Sequence, residues 1–364
     1  MKIFEVILSL GQGGAEKFVV DLCNELSINN EVSLIVMRPL TSPYDFFLEH
    51  LSDKVNRIYI PDNLLAYLRF LYLISVHKPD IVHTHIGRTL RFPLFSYIFN
   101  RAKTAFIHTV HNEAQHDSMG VDRVVSNLVF KLHLSYPVTI SHPSNQTFID
   151  CYGFSGHLIP NGCPDYITNI EVCNAIKREF LLLKGKRISL NILNVARISY
   201  QKNQKTLVDA INELNQEGYS VDLFIVGNEG DLTYNDINKN KSPFVHYLGL
   251  RTNVRDYMRV ADAFCLSSLF EGMPISLIEC LSVGTIPICT PVGGIIDIIS
   301  HNKNGLLSEG SSKEEIKSAI KSFVSLSSTQ KLRISEQTRN TFNYYSMTTC
   351  AERYTLLMNK LKKF

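Results

Sequence analysis

The stretch FEGMPISLIEC, residues 270–280, carries two carboxylates in an otherwise largely apolar segment. Glu271 and Glu279 lie eight positions apart, and Gly272 and Pro274 stand between them. This pattern predicts a loop that becomes a helix, with the proline near the first turn and ISLIECLSV continuing as helix. Eight helical residues would hold the two glutamates about 12 Å apart.

This separation decides between two uses of the pair. Carboxylates that act together as acid and base on one bond lie only about 5 to 9.5 Å apart. The two glutamates are therefore better placed to contact two ends of an elongated ligand. Glu279 has apolar neighbours on both sides, so we expect it to be partly buried, and a buried carboxylate needs hydrogen-bond donors. Hydroxyls of a bound sugar or ribose could serve, and so could a neighbouring backbone group or an arginine.

Bulk composition excludes several classes of protein. A chain of 364 residues is too long for one ordinary core, so two domains are expected. The formal net charge of +3 gives no field strong enough to indicate a nucleic-acid partner. The eight cysteines show no C-x-x-C spacing, which indicates free thiols in a reducing cytoplasm. No apolar run reaches the length of a membrane span, and MKIFEVILSL is predicted to be a first β-strand.

Short runs rich in Ile, Val, Leu and Phe alternate with longer segments of helical period, the pattern of a parallel sheet covered by helices. Seven such runs precede a cluster of turn-forming residues at PNGCPDYI, and five more follow it. We therefore predict an α/β fold of two Rossmann-like, doubly wound domains that face a central cleft. The expected boundaries are 1–165 for the first domain, 166–345 for the second and 346–364 for a C-terminal helix.

Ligands of such sheets bind beyond the carboxyl ends of the strands. After the first predicted strand, GQGGAEKFVVDLCNEL places Gly11, Gly13 and Gly14 before a helix N-terminus. Unpaired N–H groups and the positive end of the helix dipole suit an anion there, and the missing side chains let a ligand approach. A plain glycine turn explains the same residues, so both interpretations stay open.

Four histidines end two further predicted strands. His83 and His85 in DIVHTH would project to one side of their strand, and His108 and His111 end TAFIHTVHN. A zinc or iron site is one interpretation, and it predicts a metallohydrolase. The sequence lacks an H-E-x-x-H or Asp-rich companion motif, and histidines at strand ends often serve as hydrogen-bonding residues. We therefore expect no metal.

The second series of strands opens with NVARISYQKNQKTLVDAI. Arg197 stands just after a predicted strand and Lys202 just before a predicted helix, with Asn203 as its expected cap. A planar guanidinium and an ammonium beside a helix N-terminus form a site suited to binding a diphosphate. The alternative is a pair of solvated surface charges.

Taken in order, these segments resemble a known family. The chain shares with the family 4 retaining glycosyltransferases of GT-B fold the segments GGAEKFVVDL, DIVHTH, TVHN, IPNG, VARISYQKN, LFIVGNEG, HYLGLRTNVRDYMRVADAFCLSSLFEGMPISLIECLSVGTIPICTPVGGIIDII and NKNGLL. The resemblance covers about residues 1 to 310, and its most specific part is the E-x7-E element from Glu271 to Glu279. It implies transfer of a sugar from a UDP- or GDP-linked donor to a glycan or lipid-linked acceptor, in surface polysaccharide or glycolipid biosynthesis.

The resemblance also implies roles for individual residues. Arg197 and Lys202 would hold the diphosphate, Glu279 the ribose hydroxyls and Glu271 the transferred sugar. The other implied donor contacts are the backbone of Gly272, Met273, Ile275 and Ser276, Leu250 at the nucleobase, Gly13 and Gly14 at the phosphates or sugar, and His111 near the reacting carbon. The implied catalytic set is Glu271, His111, Arg197 and Lys202. Asp297 departs from the family pattern, in which a glutamate is more usual.

The implied chemistry needs neither a metal nor a cofactor. Cleavage of the bond between the anomeric carbon and phosphate leaves negative charge on the diphosphate, which Arg197, Lys202 and the helix N-terminus at Ser276 would stabilise. The family implies retention of configuration, with the departing phosphate as the base. The main alternative is a catalytically silent relative that only binds the sugar nucleotide, and the four-histidine metallohydrolase is another.

The resemblance further implies a C-terminal helix that packs back on the first domain, and a cytoplasmic enzyme that works at the inner face of the membrane if its acceptor is lipid-linked. Residues 64–103 and 119–136 mix aromatic and basic side chains. A helix that presents them could lie on an anionic membrane. In the alternative that we prefer, the rings pack in the core of the first domain and the basic groups are solvated.

Overall fold

The computed structural model describes residues 1–39, 41, 44–118, 120–185 and 187–362 of the chain. It divides into two compact units, of which the first comprises Met1–Pro164 and Tyr345–Phe364 and the second Asp165–Tyr344. Lys363 and Phe364, at the end of the expected C-terminal helix, lie outside the described residues. Each unit contains one parallel sheet with helices, so the predicted α/β class is confirmed.

The first unit is built on a parallel sheet that has seven strands in the described part of the chain. These are β1 (Lys2–Ile7), β2 (Glu31–Val36), β3 (Asn56–Tyr59), β4 (Ile81–His85), β5 (Ala105–Val110), β6 (Tyr136–Thr139) and β7 (His157–Leu158). Its helices are α1 (Gly14–Leu26), α2 (Ala66–His77), α3 (Leu94–Phe99), α4 (Ala114–Asp117), α5 (Gly120–Lys131) and α6 (His142–Tyr152). The strand order β3-β2-β1-β4-β5-β6-β7 reverses between β1 and β4. The carboxyl ends of these two strands therefore mark the switch point at which open sheets bind ligands.

The second unit repeats this plan with a six-stranded parallel sheet, again counted over the described residues. Its helices are α7 (Ile170–Lys184), α8 (Gln204–Gln216), α9 (Tyr234–Ile237), α10 (Val254–Val260), α11 (Ile275–Val283), α12 (Ile295–Ile298), α13 (Lys313–Ser325) and α14 (Ser328–Phe342). Its strands are β8 (Leu190–Val195), β9 (Val221–Val226), β10 (Val245–Gly249), β11 (Ala263–Leu266), β12 (Pro287–Cys289) and β13 (Leu306–Leu307). The order β10-β9-β8-β11-β12-β13 places the switch point between β8 and β11. The sequence prediction of five strands missed β13, because two residues are too few to show a periodic pattern.

The inner strands β1, β2 and β9 are buried over nearly their whole length, as expected of strands whose two faces are both covered. On one face of the first sheet, Phe4 and Val82 belong to a core cluster that also contains Phe148 from α6. In the second unit, Phe180 of α7 stacks on Phe224 of β9 with ring centroids 3.7 Å apart. Within the described ranges, no helix combines the length and the apolar character needed to cross a bilayer.

The aromatic residues of the basic and aromatic segment 64–103 divide between core and surface. Phe70, Phe92 and Tyr97 are buried, as the preferred interpretation expects. Tyr72 and Phe99 are each 69% exposed, so for these rings that interpretation is wrong. The apolar residues of this segment surround its helices on all sides, and sequence periodicity alone could not identify the inward face.

The last helix, α15 (Met347–Leu361), belongs to the first unit and packs against α1. The hydroxyl of Tyr354 lies 2.8 Å from Thr109 Oγ1 on β5, and the tyrosine is fully buried. The chain enters this helix close to Gly162, where an added Cβ would lie 2.7 Å from the carbonyl oxygen of Ser346. The helix is therefore an integral part of the first unit.

We predict that Tyr354→Ala lowers the free energy of unfolding by about 3 to 5 kcal/mol, the usual cost of removing a large buried ring. Tyr354→Phe should cost about 1 kcal/mol, because it removes only the hydrogen bond to Thr109. Urea denaturation followed by circular dichroism measures both changes. Tyr72→Phe, at an exposed ring, is the control and should leave the transition in place. Equal effects of Tyr354→Phe and Tyr72→Phe would contradict a stabilising role for the buried hydroxyl.

Candidate functional site

The candidate residues of the second unit gather at the carboxyl ends of β8 and β11, beside the switch point. Arg197 lies two residues beyond the end of β8, and Glu271 lies in the loop between β11 and α11. Parallel strands end at the same edge of a sheet, so these two segments are brought together by the topology alone. This is the edge at which α/β sheets bind ligands.

Two segments at this edge form one hydrogen-bonded scaffold. The first is the turn Tyr200–Lys202, and the second is the loop 267–272. The backbone N–H of Leu269 donates to the carbonyl of Gln201 at 2.8 Å, and Gln201 Nε2 donates to the carbonyl of Phe270 at 2.9 Å. The loop that carries Glu271 is thus held by the turn that carries Lys202.

Lys202 and Glu271 form an ion pair inside this scaffold. Lys202 Nζ lies 2.5 Å from Glu271 Oε1, and Ser268 Oγ donates to the same oxygen at 2.7 Å. Glu271 is only 5% exposed, so the two donors satisfy a carboxylate that would otherwise be costly to bury. Its other oxygen, Oε2, accepts no hydrogen bond from the described residues. The sequence predicted separate ligand contacts for these two residues, and it did not predict that they touch.

Gly293 holds the loop from the other side. Its φ is +50°, and an added Cβ would lie 1.8 Å from the carbonyl oxygen of Glu271. The next residue, Gly294, donates its backbone N–H to the carbonyl of Gly272 at 2.7 Å. Only glycine permits this approach, and the position of the Glu271 backbone depends on it.

The second glutamate lies on the helix that was predicted from the glycine and proline. Helix α11 runs from Ile275 to Val283 with Pro274 at its N-cap, which confirms that prediction. Glu279 is 4% exposed, so its expected burial is also confirmed. Among the described residues, the backbone N–H groups of Ile275 and Ser276 find no acceptor, as is usual in the first turn of a helix. They leave a site of positive potential next to Glu271.

Arg197 lies on the surface at the end of β8 and forms no ion pair with an acid among the described residues. Its side chain passes over Gly230, where an added Cβ would lie 2.9 Å from Arg197 Cδ. Gly227 makes a similar close approach, because a Cβ there would lie 2.1 Å from the carbonyl oxygen of Ala196. Leu250 is joined to this turn through the hydrogen bond from Gly227 N to Gly249 O, and it is 37% exposed.

Asn203 occupies the N-cap position of α8, as predicted, but its side chain makes no capping hydrogen bond among the described residues. It adopts a left-handed conformation with φ of 53°, and its Nδ2 donates to the carbonyl of Ser311 at 3.1 Å. Asn203 therefore links two loops by a hydrogen bond instead of capping the helix.

In the first unit, Gly13 is the N-cap of α1 and Gly14 is its first residue. The carboxylate of Glu16 folds over this turn, and an added Cβ at Gly13 would lie 2.0 Å from Glu16 Oε2. An anion approaching the helix N-terminus would therefore meet a carboxylate.

The histidines do not form the predicted group of four. His83, His85 and Glu5 share one face of the first sheet, and His85 Nδ1 lies 3.0 Å from His111 Nε2. His108 lies on the opposite face, where its Nδ1 is 2.8 Å from Thr84 Oγ1. Side chains alternate along a strand, and this alternation separates His108 from the others. The four-histidine metal site is therefore wrong.

Glu5 takes the place that was expected for His108. Its Oε2 lies 2.7 Å from His85 Nε2 and 3.0 Å from His83 Nδ1, and all three side chains are fully buried. Their ligand atoms lie within 4.8 Å of one another, so a metal ion could be held by this group. His83 Nε2 in turn lies 2.8 Å from Thr109 Oγ1, the partner of Tyr354.

Sequence reasoning missed four residues of these two groups: Glu5, Ser268, Gly293 and Tyr354. Glu5 had a signal, because it is the one charged residue inside the apolar run FEVIL. A charge within a strand that is buried on both faces calls for a partner. Ser268, Gly293 and Tyr354 gave no comparable signal, since their roles depend on distant contacts.

Two family models together match most of the chain. A model described as glycosyl transferases group 1 matches residues 177–341, and one described as glycosyltransferase family 4 matches residues 12–165. Among solved structures, Anabaena HepE in complex with UDP is similar with a TM-score of 0.83, 15% identity and coverage of 99% of this chain and 100% of that one. The GT-B fold that the resemblance implied is confirmed.

Two of the relatives are named for substrates linked to undecaprenol. The UDP-Gal:alpha-D-GlcNAc-diphosphoundecaprenol alpha-1,3-galactosyltransferase of Escherichia coli is 26% identical over 72% of this chain and 73% of its own length. A GalNAc-alpha-(1->4)-GalNAc-alpha-(1->3)-diNAcBac-PP-undecaprenol alpha-1,4-N-acetyl-D-galactosaminyltransferase of Campylobacter jejuni is 26% identical over 84% of each chain.

We predict that Gly293→Ala destabilises the second unit and loosens the loop 267–272. The alanine must adopt a positive φ, which costs roughly 1 to 2 kcal/mol, and its Cβ also displaces the backbone of Glu271. Gly218→Ala is the matched control, because Gly218 also has a positive φ, of +91°, but an added Cβ there meets nothing within 4 Å. Hydrogen exchange of peptides covering 267–276 should accelerate only in Gly293→Ala. Equal exchange in the two variants would contradict the steric argument.

Proposed function

Because the chain belongs to the family 4 glycosyltransferases, we propose that it is a retaining enzyme that transfers a sugar from a UDP- or GDP-linked donor to a lipid-linked or glycan acceptor. The pathway class is surface polysaccharide or glycolipid biosynthesis. The observation that carries the proposal is the gathering of Arg197, Lys202, Glu271 and Glu279 in the segments beyond β8 and β11. The names of the relatives, with UDP-Gal and diphosphoundecaprenol in that of the E. coli enzyme, support the donor and acceptor classes.

The sugar end of the donor is assigned to Glu271. Its Oε1 is engaged by Lys202 and Ser268, while Oε2 accepts no hydrogen bond from the described residues and is available to a sugar hydroxyl. An ammonium has three N–H donors. Lys202 can therefore keep its contact with Glu271 and still donate to a phosphate oxygen, so that the pair bridges the sugar and the diphosphate.

The leaving diphosphate is assigned to Arg197, Lys202 and the N-terminus of α11. Negative charge grows on the phosphate oxygens as the bond to the anomeric carbon breaks. The exposed guanidinium and the unpaired N–H groups of Ile275 and Ser276 supply positive potential that is already in place. The backbone of Gly272 and Met273 belongs to the same loop and completes the expected contacts. The family's retaining outcome makes the departing phosphate the base for the acceptor.

The nucleoside end is assigned to Glu279 and Leu250. Glu279 lies one helical turn beyond Ile275 on α11, and a buried carboxylate there suits the paired hydroxyls of a ribose. Leu250 presents a partly exposed apolar side chain at the end of β10, which suits the face of a nucleobase. In the first unit, we assign Gly13 and Gly14 to the donor phosphates or sugar, and His111 to the transferred sugar.

We predict that Arg197→Ala and Lys202→Ala each weaken UDP binding roughly ten- to a hundredfold, the range expected for loss of a hydrogen bond to a charged group. Uridine, which carries no phosphate, should bind Lys202→Ala with unchanged affinity. Glu279→Ala should weaken both UDP and uridine. Isothermal titration calorimetry measures these affinities, and Lys205→Ala, an exposed lysine in the first turn of α8, is the control.

The reaction itself is tested with a panel of UDP- and GDP-sugars, by release of the nucleoside diphosphate with and without EDTA. Turnover that survives EDTA and is lost in Glu271→Gln supports the proposal. Tight UDP binding without turnover of any donor would instead indicate a silent relative. Loss of turnover on chelation would indicate a metal-dependent enzyme.

The surface of the first unit supports a lipid-linked acceptor. Three of its helices expose apolar side chains at helical spacing, which are Leu68, Tyr72 and Val76 on α2, Phe95, Ile98 and Phe99 on α3, and Val121, Val124 and Leu128 on α5. Helix α2 packs against α3, and α5 packs against the turn Gly87–Arg91 that leads into α3. Apolar patches of this kind mark interaction sites, and a bilayer that contains a lipid-linked acceptor is the partner we assign.

Basic side chains of this region differ in whether an acid within the unit neutralises them. Arg88 and Arg91 contact Asp62, and Arg91 also contacts Asp122, so their charges are used within the unit. Arg69 lies on α2, on the same helix as the exposed Leu68 and Tyr72, and it is exposed. Such a combination favours peripheral contact with an anionic membrane over contact with a neutral one.

We predict that the double variant Leu68→Glu/Val124→Glu binds vesicles of phosphatidylglycerol and phosphatidylethanolamine about tenfold or more weakly, because it removes two apolar contacts and adds repelling charge. Vesicle co-sedimentation measures the binding. Leu332→Glu, at a 63% exposed leucine on α14 of the second unit, is the control and should bind as the wild type does. Equal loss in the control would show a general charge effect and contradict the assigned surface.

A further inference from the structure

We propose that Glu5 and His85 are positioning residues that hold His111 with its proton on Nε2, so that Nδ1 faces the transferred sugar as a hydrogen-bond acceptor. This inference rests on the proposed function, because it is there that His111 is assigned to the sugar. It adds two residues to the site that make no contact with the sugar themselves. It also assigns a chemical direction to the contact that His111 makes.

The three residues form a continuous chain of short contacts. Glu5 Oε2 lies 2.7 Å from His85 Nε2, and His85 Nδ1 lies 3.0 Å from His111 Nε2. Glu5 belongs to β1 and His85 ends β4, the two strands at the switch point, while His111 follows the neighbouring strand β5. Glu5 and His85 are fully buried, and His111 is half-buried. The chain therefore runs from the interior of the sheet to its carboxyl edge.

The protonation states of Glu5 and His85 follow from burial and charge. Burial would raise the pKa of the Glu5 carboxyl, but the adjacent His83 and His85 outweigh it and lower the pKa to about 2. Burial, together with His83, lowers the pKa of His85 to about 3, although Glu5 acts in the opposite direction. At neutral pH the first residue is a carboxylate and the second a neutral imidazole.

A neutral imidazole has a single N–H, and the carboxylate determines where it lies. At 2.7 Å, a lone pair on His85 Nε2 would face a lone pair on Glu5 Oε2, so the proton must be on Nε2. His85 Nδ1 is then an acceptor, and the contact at 3.0 Å requires a proton on His111 Nε2. Burial lowers the pKa of His111 well below its usual value, so its Nδ1 carries no proton.

His111 Nδ1 is left without a partner among the described residues. The ring itself is held in place, because Phe18 from α1 contacts His111 edge-on with centroids 5.4 Å apart. A fixed lone pair accepts a hydrogen bond from a hydroxyl and repels a carboxylate. The assigned tautomer therefore favours donors that present a hydroxyl at this point over donors that present an acid group.

The groups that surround Glu5, His85 and His111 are consistent with this arrangement. Cys23 of α1 is buried near Glu5, and burial, with the Glu5 charge in addition, raises the pKa of its thiol well above the usual value. Tyr354 of α15 contacts the ring of His83 with centroids 5.1 Å apart, and burial raises the pKa of its hydroxyl well above the usual value. Neither group carries a charge that would compete with Glu5 for His85.

A bound metal is the competing explanation of the same three side chains, Glu5, His83 and His85. Two ligands of a tetrahedral zinc with bonds of about 2.0 to 2.1 Å lie about 3.3 Å apart. Glu5 Oε2 and His85 Nε2 are closer than that, at 2.7 Å, the distance of a hydrogen bond to a charged acceptor. A metal on His85 Nε2 would also remove the proton that the proposed chain requires, so the two explanations exclude each other.

The tautomer can be read directly by ¹⁵N NMR of histidine-labelled protein, with the His111→Gln spectrum assigning the signals of His111. We expect Nε2 to be protonated and Nδ1 unprotonated in the wild type. His85→Leu should give a mixture of tautomers, whereas His85→Asn should largely restore the wild-type form because its amide oxygen can accept from His111. His108→Asn, at an equally buried histidine that contacts Thr84 on the opposite face of the sheet, is the matched control and should leave the tautomer unchanged.

The effect on the reaction is measured by release of UDP from UDP-galactose and UDP-N-acetylgalactosamine, together with calorimetric binding of UDP. His85→Leu should lower kcat/KM about tenfold, the loss expected for one misplaced hydrogen bond, and leave UDP affinity unchanged. His85→Asn should recover most of this loss, and circular dichroism excludes misfolding as its cause.

Three results would overturn the inference: a proton on His111 Nδ1 in the wild type, one equivalent of bound metal in the purified protein, or an unchanged kcat/KM in a His85→Leu variant whose tautomer has changed. Failure of the proposed function gives a different pattern. In that case no sugar nucleotide is turned over, while the ¹⁵N NMR spectrum still reports which nitrogen of His111 carries the proton.

Discussion

The buried contact between Lys202 and Glu271 is the interaction on which the candidate site of the second unit depends. Each charge alone would be costly at this depth, and removal of one partner leaves the other uncompensated. The pair connects the turn after β8 to the loop after β11, on the two sides of the switch point. Since the ammonium of Lys202 has N–H groups that Glu271 does not use, a ligand can accept a hydrogen bond from it without breaking the ion pair. The two charges are thus in place before a ligand binds.

The parts of this site that could be predicted from sequence are those with a local cause. Gly272 and Pro274 predict a loop and a helix start, and α11 begins at Ile275. The contact between Lys202 and Glu271 joins residues 69 positions apart, and nothing in either local sequence indicates it. The alternation of apolar runs and helical segments was sufficient for the fold class, but two residues were too few to indicate β13.

The division of the histidines follows from a general rule of strand geometry. His108 and His111 are three positions apart, and an odd spacing in a strand places side chains on opposite faces. That rule alone separates His108 from His111, and the register between β4 and β5 then places His108 opposite Thr84. The partner that replaces it, Glu5, was visible as a charge inside a buried strand. Its pairing with His83 across β1 and β4 depends on sheet register, which a single sequence does not contain.

The two edges of each sheet differ in how their polar groups are satisfied. At the amino edge of the second sheet, Asp222 accepts hydrogen bonds from Arg187, His246 and Ser189. At the amino edge of the first sheet, Asp80 accepts one from the backbone N–H of Lys2 and pairs with Lys362. Apart from Arg187 Nε, which has no partner among the described residues, these groups satisfy one another and contribute to stability.

The carboxyl edges are different. Among the described residues, Arg197 has no acidic partner, and Glu271 Oε2 and His111 Nδ1 accept no hydrogen bond. They lie at the edge where such sheets bind ligands, and neighbouring contacts hold Glu271 and His111 in place. Folding explains the contacts of Lys202 with Glu271 and of Glu5 with His85. Within each unit, the atoms that those contacts hold in place remain available to a ligand.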